Sequence, residues 1–219
     1  MGLKNKRVLV TGSTRGIGLE IARHFLKEGA KVAITSRGKE RLIKIENELV
    51  SQFGKENVLA QVCDCTKVND VKNLAAYIEK QWSVIDIVVA NVGDGRSIID
   101  PIPEQEQWQQ TWDSNFESAL QTARFSLPML KKSKGCLLFV SSIAGIEAFG
   151  APTDYSTAKS AIIALAKNMA RKLASDNVRV NVIAPGNVYF EGGSWDEKIQ
   201  QDKKRVDEII ESKVPMNRF

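Results

Sequence analysis

The stretch Thr11-Gly12-Ser13-Thr14-Arg15-Gly16-Ile17-Gly18 most constrains what this chain can fold into. The apolar run Arg7 to Val10 precedes it and reads as a buried strand; Leu19 to Lys27 follows with the pattern of a helix. A strand that turns through three glycines into a helix makes a phosphate-binding corner. Glycine takes positive φ and lets backbone approach a ligand closely, and the helix N-terminus offers unpaired N–H groups with partial positive charge. The spacing is G-x-x-x-G-x-G rather than the G-x-G-x-x-G of the common dinucleotide fingerprint. Taken alone, the same residues also suit a strand-to-helix turn with no ligand.

The rest of the chain repeats this strand–helix rhythm. Short, β-branched, nearly all-apolar runs occur at Arg7–Thr11, Lys31–Thr35, Asn57–Val62, Ile85–Ala90, Cys136–Val140 and Val178–Ile183, as in strands buried on both faces. Helical stretches lie between them near Ile17–Glu28, Glu40–Gln52, Val68–Gln81, Glu104–Leu130 and Thr153–Leu173. This alternation predicts an α/β fold, a doubly wound parallel sheet with right-handed crossovers. With 219 residues, no linker and no repeat, the expectation is one domain over 1–219.

In such a sheet, ligands bind beyond the carboxyl ends of the strands, so the residues just after each strand carry the most information. After the second strand stands Ser36-Arg37-Gly38, where a site for NAD would place a carboxylate on the ribose 2′-hydroxyl. None is present. Arg37 and Arg15 suit a 2′-phosphate instead, which points to NADP rather than NAD. After the third strand come Asp64, Cys65 and Thr66, and after the fourth Asn91, Val92 and Gly93. A carboxylate near an adenine amino group and a glycine near a ribose fit these places, although Asp64 also suits a cap for the helix that follows.

After the fifth strand lies Ser141-Ser142, and Tyr155 and Lys159 then share one helix face at i and i+4. A phenol with a reference pKa of roughly 10 exchanges protons poorly at neutral pH. A nearby ammonium favours the phenolate, so the spacing predicts a lowered Tyr155 pKa and a usable general acid or base. Viewed alone, the pair also reads as an ordinary surface Tyr and Lys.

Together Thr11–Gly18, Asn91–Gly93, Asn115, Ser142, Tyr155, Lys159 and Pro185-Gly186, in this order, resemble the short-chain dehydrogenase/reductase family from Arg7 to about Phe219. The pattern is most similar to 3-oxoacyl-carrier-protein reductases and related carbonyl reductases. The resemblance implies a Rossmann domain and interconversion of a ketone and a secondary alcohol. It makes Tyr155 the acid that protonates the reduced oxygen and Lys159 the residue that lowers its pKa and binds the nicotinamide ribose. Ser142 would hydrogen-bond the substrate oxygen, and Asn115 would hold a water linking Lys159 to solvent. The implied cofactor set is Gly12, Ser13, Thr14, Arg15, Gly16, Ile17, Gly18, Arg37, Asp64, Cys65, Asn91, Gly93, Tyr155, Lys159, Pro185, Gly186 and Val188, with no metal. The helix pair Glu104–Leu130 and Thr153–Leu173 resembles the family's dimer core. Small Ala158, Ala161, Ala164 and Ala166 there predict a homodimer or homotetramer.

Three departures stand out. Ala90 replaces the first Asn of the family's N-N-A-G, and no Thr follows Pro185-Gly186. The sequence also stops at Val214–Phe219, where relatives lead on into a further helix, a seventh strand and a tail. The break falls mid-motif, which points to a missing tail, and the last strand and tail are expected to be lacking here. Between Asn187 and Lys213, glycines beside Tyr189, Phe190 and Trp195 and a charged helix from about Asp196 suit a substrate lid. Asp94, Gly95, Arg96 and Glu147 are candidates for the same pocket. The alternative reading is an NADP-binding protein without turnover.

Composition narrows the remainder. The net charge of +5 comes from dispersed bases, and Lys203-Lys204-Arg205 sits among acids, so no nucleic-acid partner is expected. No run reaches membrane-span length and Met1 to Arg7 lacks a signal core, which predicts a cytoplasmic protein with no membrane partner. Three cysteines without metal-ligand company argue against disulfides or zinc. The single histidine, His24, reads as structural or exposed.

Overall fold

The structure is a computed structural model that describes residues 2–98 and 100–219. Six parallel strands form the sheet: β1 (Arg7–Val10), β2 (Lys31–Ser36), β3 (Val58–Val62), β4 (Ile87–Ala90), β5 (Cys136–Val140) and β6 (Arg179–Ile183). Their order is β3-β2-β1-β4-β5-β6. The direction of winding reverses between β1 and β4, which pair with Val10 opposite Val89. Loops from these two strands diverge there and open the crevice in which such sheets bind ligands.

The helices are α1 (Gly16–Lys27), α2 (Lys39–Phe53), α3 (Val68–Trp82), α4 (Gln105–Trp112), α5 (Ser118–Ser133), α6 (Thr153–Leu173) and α7 (Ser194–Lys213). Alternate strand residues feed two cores, because successive side chains point to opposite faces. Val8, Val10, Val32 and Ile34 meet Leu19, Leu26, Leu42 and Leu49 of α1 and α2. Leu9, Val88, Leu137 and Phe139 meet Leu74, Ile78, Ala123 and Ile162 of α3, α5 and α6. Burial on both faces explains why the strands read as unbroken apolar runs.

Two details depart from the sequence reading. The expected single helix Glu104–Leu130 is interrupted by a π-helical turn, Asp113–Glu117, in which the Ser118 N–H reaches the Asp113 carbonyl. β4 begins at Ile87 because Asp86 is spent on another bond. Its carboxylate accepts from the backbone N–H of Arg7 at 2.9 Å and from Arg7 Nε at 2.8 Å, fastening the start of β1 to the start of β4. Burial pushes the Asp86 carboxyl up, but these Arg7 bonds outweigh it and hold the group below its ordinary value. A depressed folded-state pKa contributes stability above the unfolded-state value near 4, lost as pH falls through the folded one. Asp86→Asn is therefore expected to lower unfolding free energy by about 1–2 kcal/mol at pH 7, with the gap to wild type closing at acid pH in urea titrations.

The aromatic stripe of α4 divides. Phe116 packs on the core, whereas Trp108 and Trp112 line a surface hollow with Ile102 and Pro103. On α6, Ala158 and Ala166 are buried within the subunit, so of the four alanines expected at an interface only Ala161 and Ala164 remain outward. Cys63, Cys65 and Cys136 are free thiols, the first two directly following β3. Among the described residues, no helix is long and apolar enough to cross a membrane, and no group of three potential ligands could hold a metal.

Candidate active site

At the carboxyl ends of the strands lies a cleft of about 870 Å³. Its lining includes Gly12, Thr14, Arg15, Ile17, Gly18, Arg37, Asp64, Cys65, Asn91, Gly93, Tyr155, Lys159, Gly186 and Val188. Residues far apart in sequence thus meet on one wall. Ser13, Gly16, Asn115, Ser142 and Pro185 do not line it.

The glycine turn forms the near end. Gly12 and Gly16 take φ of +62° and +52°, a region that favours glycine. Ser13 is wholly buried and serves the scaffold: its hydroxyl donates to the Val10 carbonyl at 2.7 Å and accepts from the Thr35 N–H at 3.0 Å. Asn91 ties the turn across the switch point, donating from Nδ2 to the Thr11 and Gly12 carbonyls at 3.0 and 3.2 Å. Gly18 is pressed against this tie, where a Cβ would lie 2.4 Å from Asn91 Nδ2 and 2.5 Å from the Gly12 oxygen. The Phe190 ring covers Gly16, within 2.7 Å of where its Cβ would stand.

Arg37, exposed after β2, shares the cleft mouth with Arg15 and with Arg41 of α2. Arg41 was not among the residues singled out from sequence; it stands four positions beyond Arg37, within α2. Asp64 serves two ends at once. It lines the cleft and also accepts from the Thr66 hydroxyl at 2.7 Å in a turn before α3.

At the far end, Ser142 caps a short 3₁₀ turn, accepting from the Ala144 N–H at 3.2 Å. It also hydrogen-bonds the Tyr155 phenol. Lys159 is only 3% exposed; its Nζ donates to the Val140 carbonyl at 3.2 Å and stands 5.7 Å from the centre of the Tyr155 ring. Ser141, passed over in the sequence, donates to the Lys159 carbonyl at 2.7 Å and fixes α6 to the end of β5. Gly93 leaves room for the amine: a Cβ there would lie 2.7 Å from Lys159 Nζ and 2.8 Å from Asn115 Oδ1.

The electrostatics correct one expectation. Burial pushes the Tyr155 phenol above its ordinary value, the Ser142 bond opposes this, and the Asp94 charge adds to the rise. Lys159 does not reverse it. Burial pushes the ammonium itself down to about 8, so its charge is weakly held near neutrality. The protonated phenol is the stable form at neutral pH.

Asn115 is fully buried in the π-helical turn. Its Nδ2 donates to the Asp94 and Thr111 carbonyls at 2.9 and 3.0 Å, and its Oδ1 accepts from the Asp94 N–H at 3.1 Å. These bonds spend the amide on holding the loop after β4 rather than leaving it free for a water. Across the cleft, Arg96 makes a bidentate pair with Glu197 of α7 at 2.9 and 2.7 Å and a second pair with Asp94. Arg15 donates to the Gly192 carbonyl at 3.4 Å. The segment 187–197 is thereby held over both ends of the cleft. Glu147, a pocket candidate from sequence, is exposed and does not line it.

Comparison with known proteins agrees with this layout. The family model described as short chain dehydrogenase matches residues 6–199. An uncharacterised oxidoreductase of Bacillus subtilis, YvrD, is 38% identical over 198 residues, covering 87% of this chain and 71% of its own. A 3-oxoacyl-[acyl-carrier-protein] reductase of Chlamydia muridarum is 34% identical over 188 residues, covering 84% and 74%. The solved L-sorbose reductase of Gluconobacter frateurii, complexed with NADPH and L-sorbose, superposes with a TM-score of 0.91 at 27% identity, covering 100% of this chain and 85% of that one.

Proposed function

The chain belongs to the short-chain dehydrogenase/reductase family, and on that premise we propose that it is an NADP-dependent reductase converting a ketone to a secondary alcohol, with a 3-oxoacyl thioester as the substrate class. The observation that carries this reading is the buried, protonated phenol of Tyr155, bonded to Ser142 and facing the same cleft as the glycine turn. An acid held protonated at neutral pH suits delivery of a proton to a carbonyl oxygen as that oxygen gains charge.

The cleft fits the dinucleotide on its own geometry. Gly18 and Gly93 face spaces that no Cβ could share, α1 turns its N-terminus to the cleft, and three guanidiniums stand together at one mouth with no carboxylate directly after β2. The turn Gly12–Gly18 would hold the diphosphate. Arg15, Arg37 and Arg41 would take the 2′-phosphate, Asp64 the adenine end, Gly93 and Lys159 the ribose, and the backbone at Val188 the carboxamide. When bound, the nicotinamide supplies the hydride.

The chain's own residues do the rest. Ser142 directs its hydroxyl at the substrate oxygen and stabilises charge developing there. Tyr155 gives its phenolic proton to that oxygen, and its phenolate is then beside Lys159, whose ammonium near pH 8 restores the proton. Asn115 holds Gly93 and Asp94 against the amine. The segment 187–213 acts as a lid that excludes water. A small-molecule substrate, a cytoplasmic setting and a homodimer or homotetramer complete the proposal. The outward Ala161 and Ala164 permit close approach of a second copy; light scattering that finds only monomer at micromolar concentration contradicts the oligomer.

The test is consumption of NADPH across a panel of ketones that includes acetoacetyl-coenzyme A. Turnover of that thioester at least tenfold above simple ketones supports the substrate class, and turnover of polyol-type ketones alone redirects it. Arg37→Ala is expected to weaken NADPH binding about tenfold, or about 1.4 kcal/mol, while leaving NADH binding unchanged in fluorescence titrations. Equal weakening of both would remove Arg37 from the 2′-phosphate.

A further inference from the structure

Asp154 immediately precedes Tyr155 in the first turn of α6 and is only 1% exposed. A carboxylate this deeply buried is costly unless its oxygens are satisfied. Its Oδ1 accepts from the Tyr155 N–H at 2.7 Å, and its Oδ2 accepts from the Ser97 hydroxyl at 2.6 Å. The second bond is short, as expected for a hydroxyl donating to a charged oxygen, and it spans 57 residues of sequence. Ser97 in turn accepts from Gln107 Nε2 at 3.4 Å, and the same amide nitrogen donates to the Thr111 hydroxyl at 3.1 Å.

The loop after β4 is therefore pinned at two points. Asn115 holds its Gly93–Asp94 end, and Asp154 holds its Ser97 end. Between the pins, Gly95 lies flat on the phenol, with its would-be Cβ 3.7 Å from Tyr155 Cε2 and Cζ. The loop is one wall of the slot in which the ring stands.

We propose that Asp154 is a positioning residue for Tyr155, clamping the 93–97 loop onto the phenol ring through Ser97. It touches neither substrate nor cofactor in this role. Its work is to fix where the hydroxyl points and how much water reaches the ring. The clamp costs little flexibility elsewhere, since both of its partners lie within one helical turn of the site or on the loop itself. Because burial is what raises the Tyr155 pKa, releasing the loop re-solvates the ring and lets that value fall toward an ordinary phenol. The groups facing the phenol are Ser142, Lys159 and Asp94, and none of them is altered by changing Asp154 or Ser97.

The inference rests on the reductase reading for its kinetic arm only. The test compares Asp154→Asn, Ser97→Ala, Ser97→Thr and the Asn/Ala double variant with wild type. Asp154→Asn is isosteric and keeps Oδ1 for the helix N–H. Three readouts are taken: turnover of acetoacetyl-coenzyme A with NADPH, NADPH affinity by fluorescence, and pH titration of ¹³Cζ-labelled tyrosine by NMR. The chain has three tyrosines, and Tyr155→Phe identifies the relevant signal. The expected result is a fall in kcat of about tenfold in Asp154→Asn and Ser97→Ala, NADPH affinity within twofold, and a Tyr155 midpoint moved downward. The double variant is expected to be no worse than the poorer single one, since both cut the same bond, and Ser97→Thr, which keeps the hydroxyl, is expected to retain most activity. Unchanged kcat and an unmoved Tyr155 midpoint overturn the proposal, as do losses that multiply in the double variant. If wild type reduces none of the ketones, the reductase reading fails while the tyrosine titration still decides the clamp.

Discussion

Tyr155→Phe is expected to cut ketone reduction by at least about a thousandfold while NADPH binds as tightly as in wild type. The change deletes one hydroxyl. It removes the proton donor, whose positioned transfer accounts for about 10²–10⁴ in rate, and it leaves Ser142 without its partner at the reacting oxygen. The ring itself stays, so the Gly95 contact and the packing of α6 on the sheet persist. Steady-state kinetics beside a fluorescence titration of NADPH separates the two effects. A variant that retains turnover within tenfold of wild type would exclude the phenol as the proton source.

The second large effect concerns binding. Gly18→Ala sets a methyl group 2.4 Å from Asn91 Nδ2 and 2.5 Å from the Gly12 carbonyl oxygen, one of them backbone. Neither can yield without opening the tie between the glycine turn and the end of β4. NADPH affinity is expected to fall by at least about 100-fold, or about 2.7 kcal/mol. Thermal stability is expected to fall with it, because the tie also joins the two central strands. Retained affinity would show that the turn can relax and that the diphosphate site lies elsewhere in the cleft.

Much of this molecule could be read from residues alone, and the reason is physical. Strands buried on both faces must be apolar throughout, so the runs at Lys31–Ser36 and Cys136–Val140 announce themselves. The order of loops then follows from parallel winding, and it delivers the glycine turn, Asn91 and Tyr155 to one cleft. What was not legible depends on contacts between distant residues. Nothing local in Asp154 predicts that it meets Ser97, and nothing in the hydrophobic spacing of 104–130 announces a π-helical turn at 113–117. Asn91 and Ser13 were read as cofactor contacts because of their place in a motif. Their side chains are instead bonded to the scaffold that shapes the turn. The direction of the Tyr155 shift was missed for a similar reason. Spacing on a helix gives the neighbour, Lys159, but not the burial that weakens that neighbour's charge.

The π-helical turn also governs how this stretch tolerates change in length. An α-helix advances about 100° per residue around its axis. Removing one residue from 113–117 would let the coil close as ordinary α-helix, and everything after it would swivel by about that angle. Ala119, Ala123 and Met129, now turned to the sheet, would swing off it, and the face carrying Lys131 and Lys132 would rotate with them. Substitutions in this turn are matters of one side chain, whereas a single-codon deletion re-indexes an entire core-facing helix.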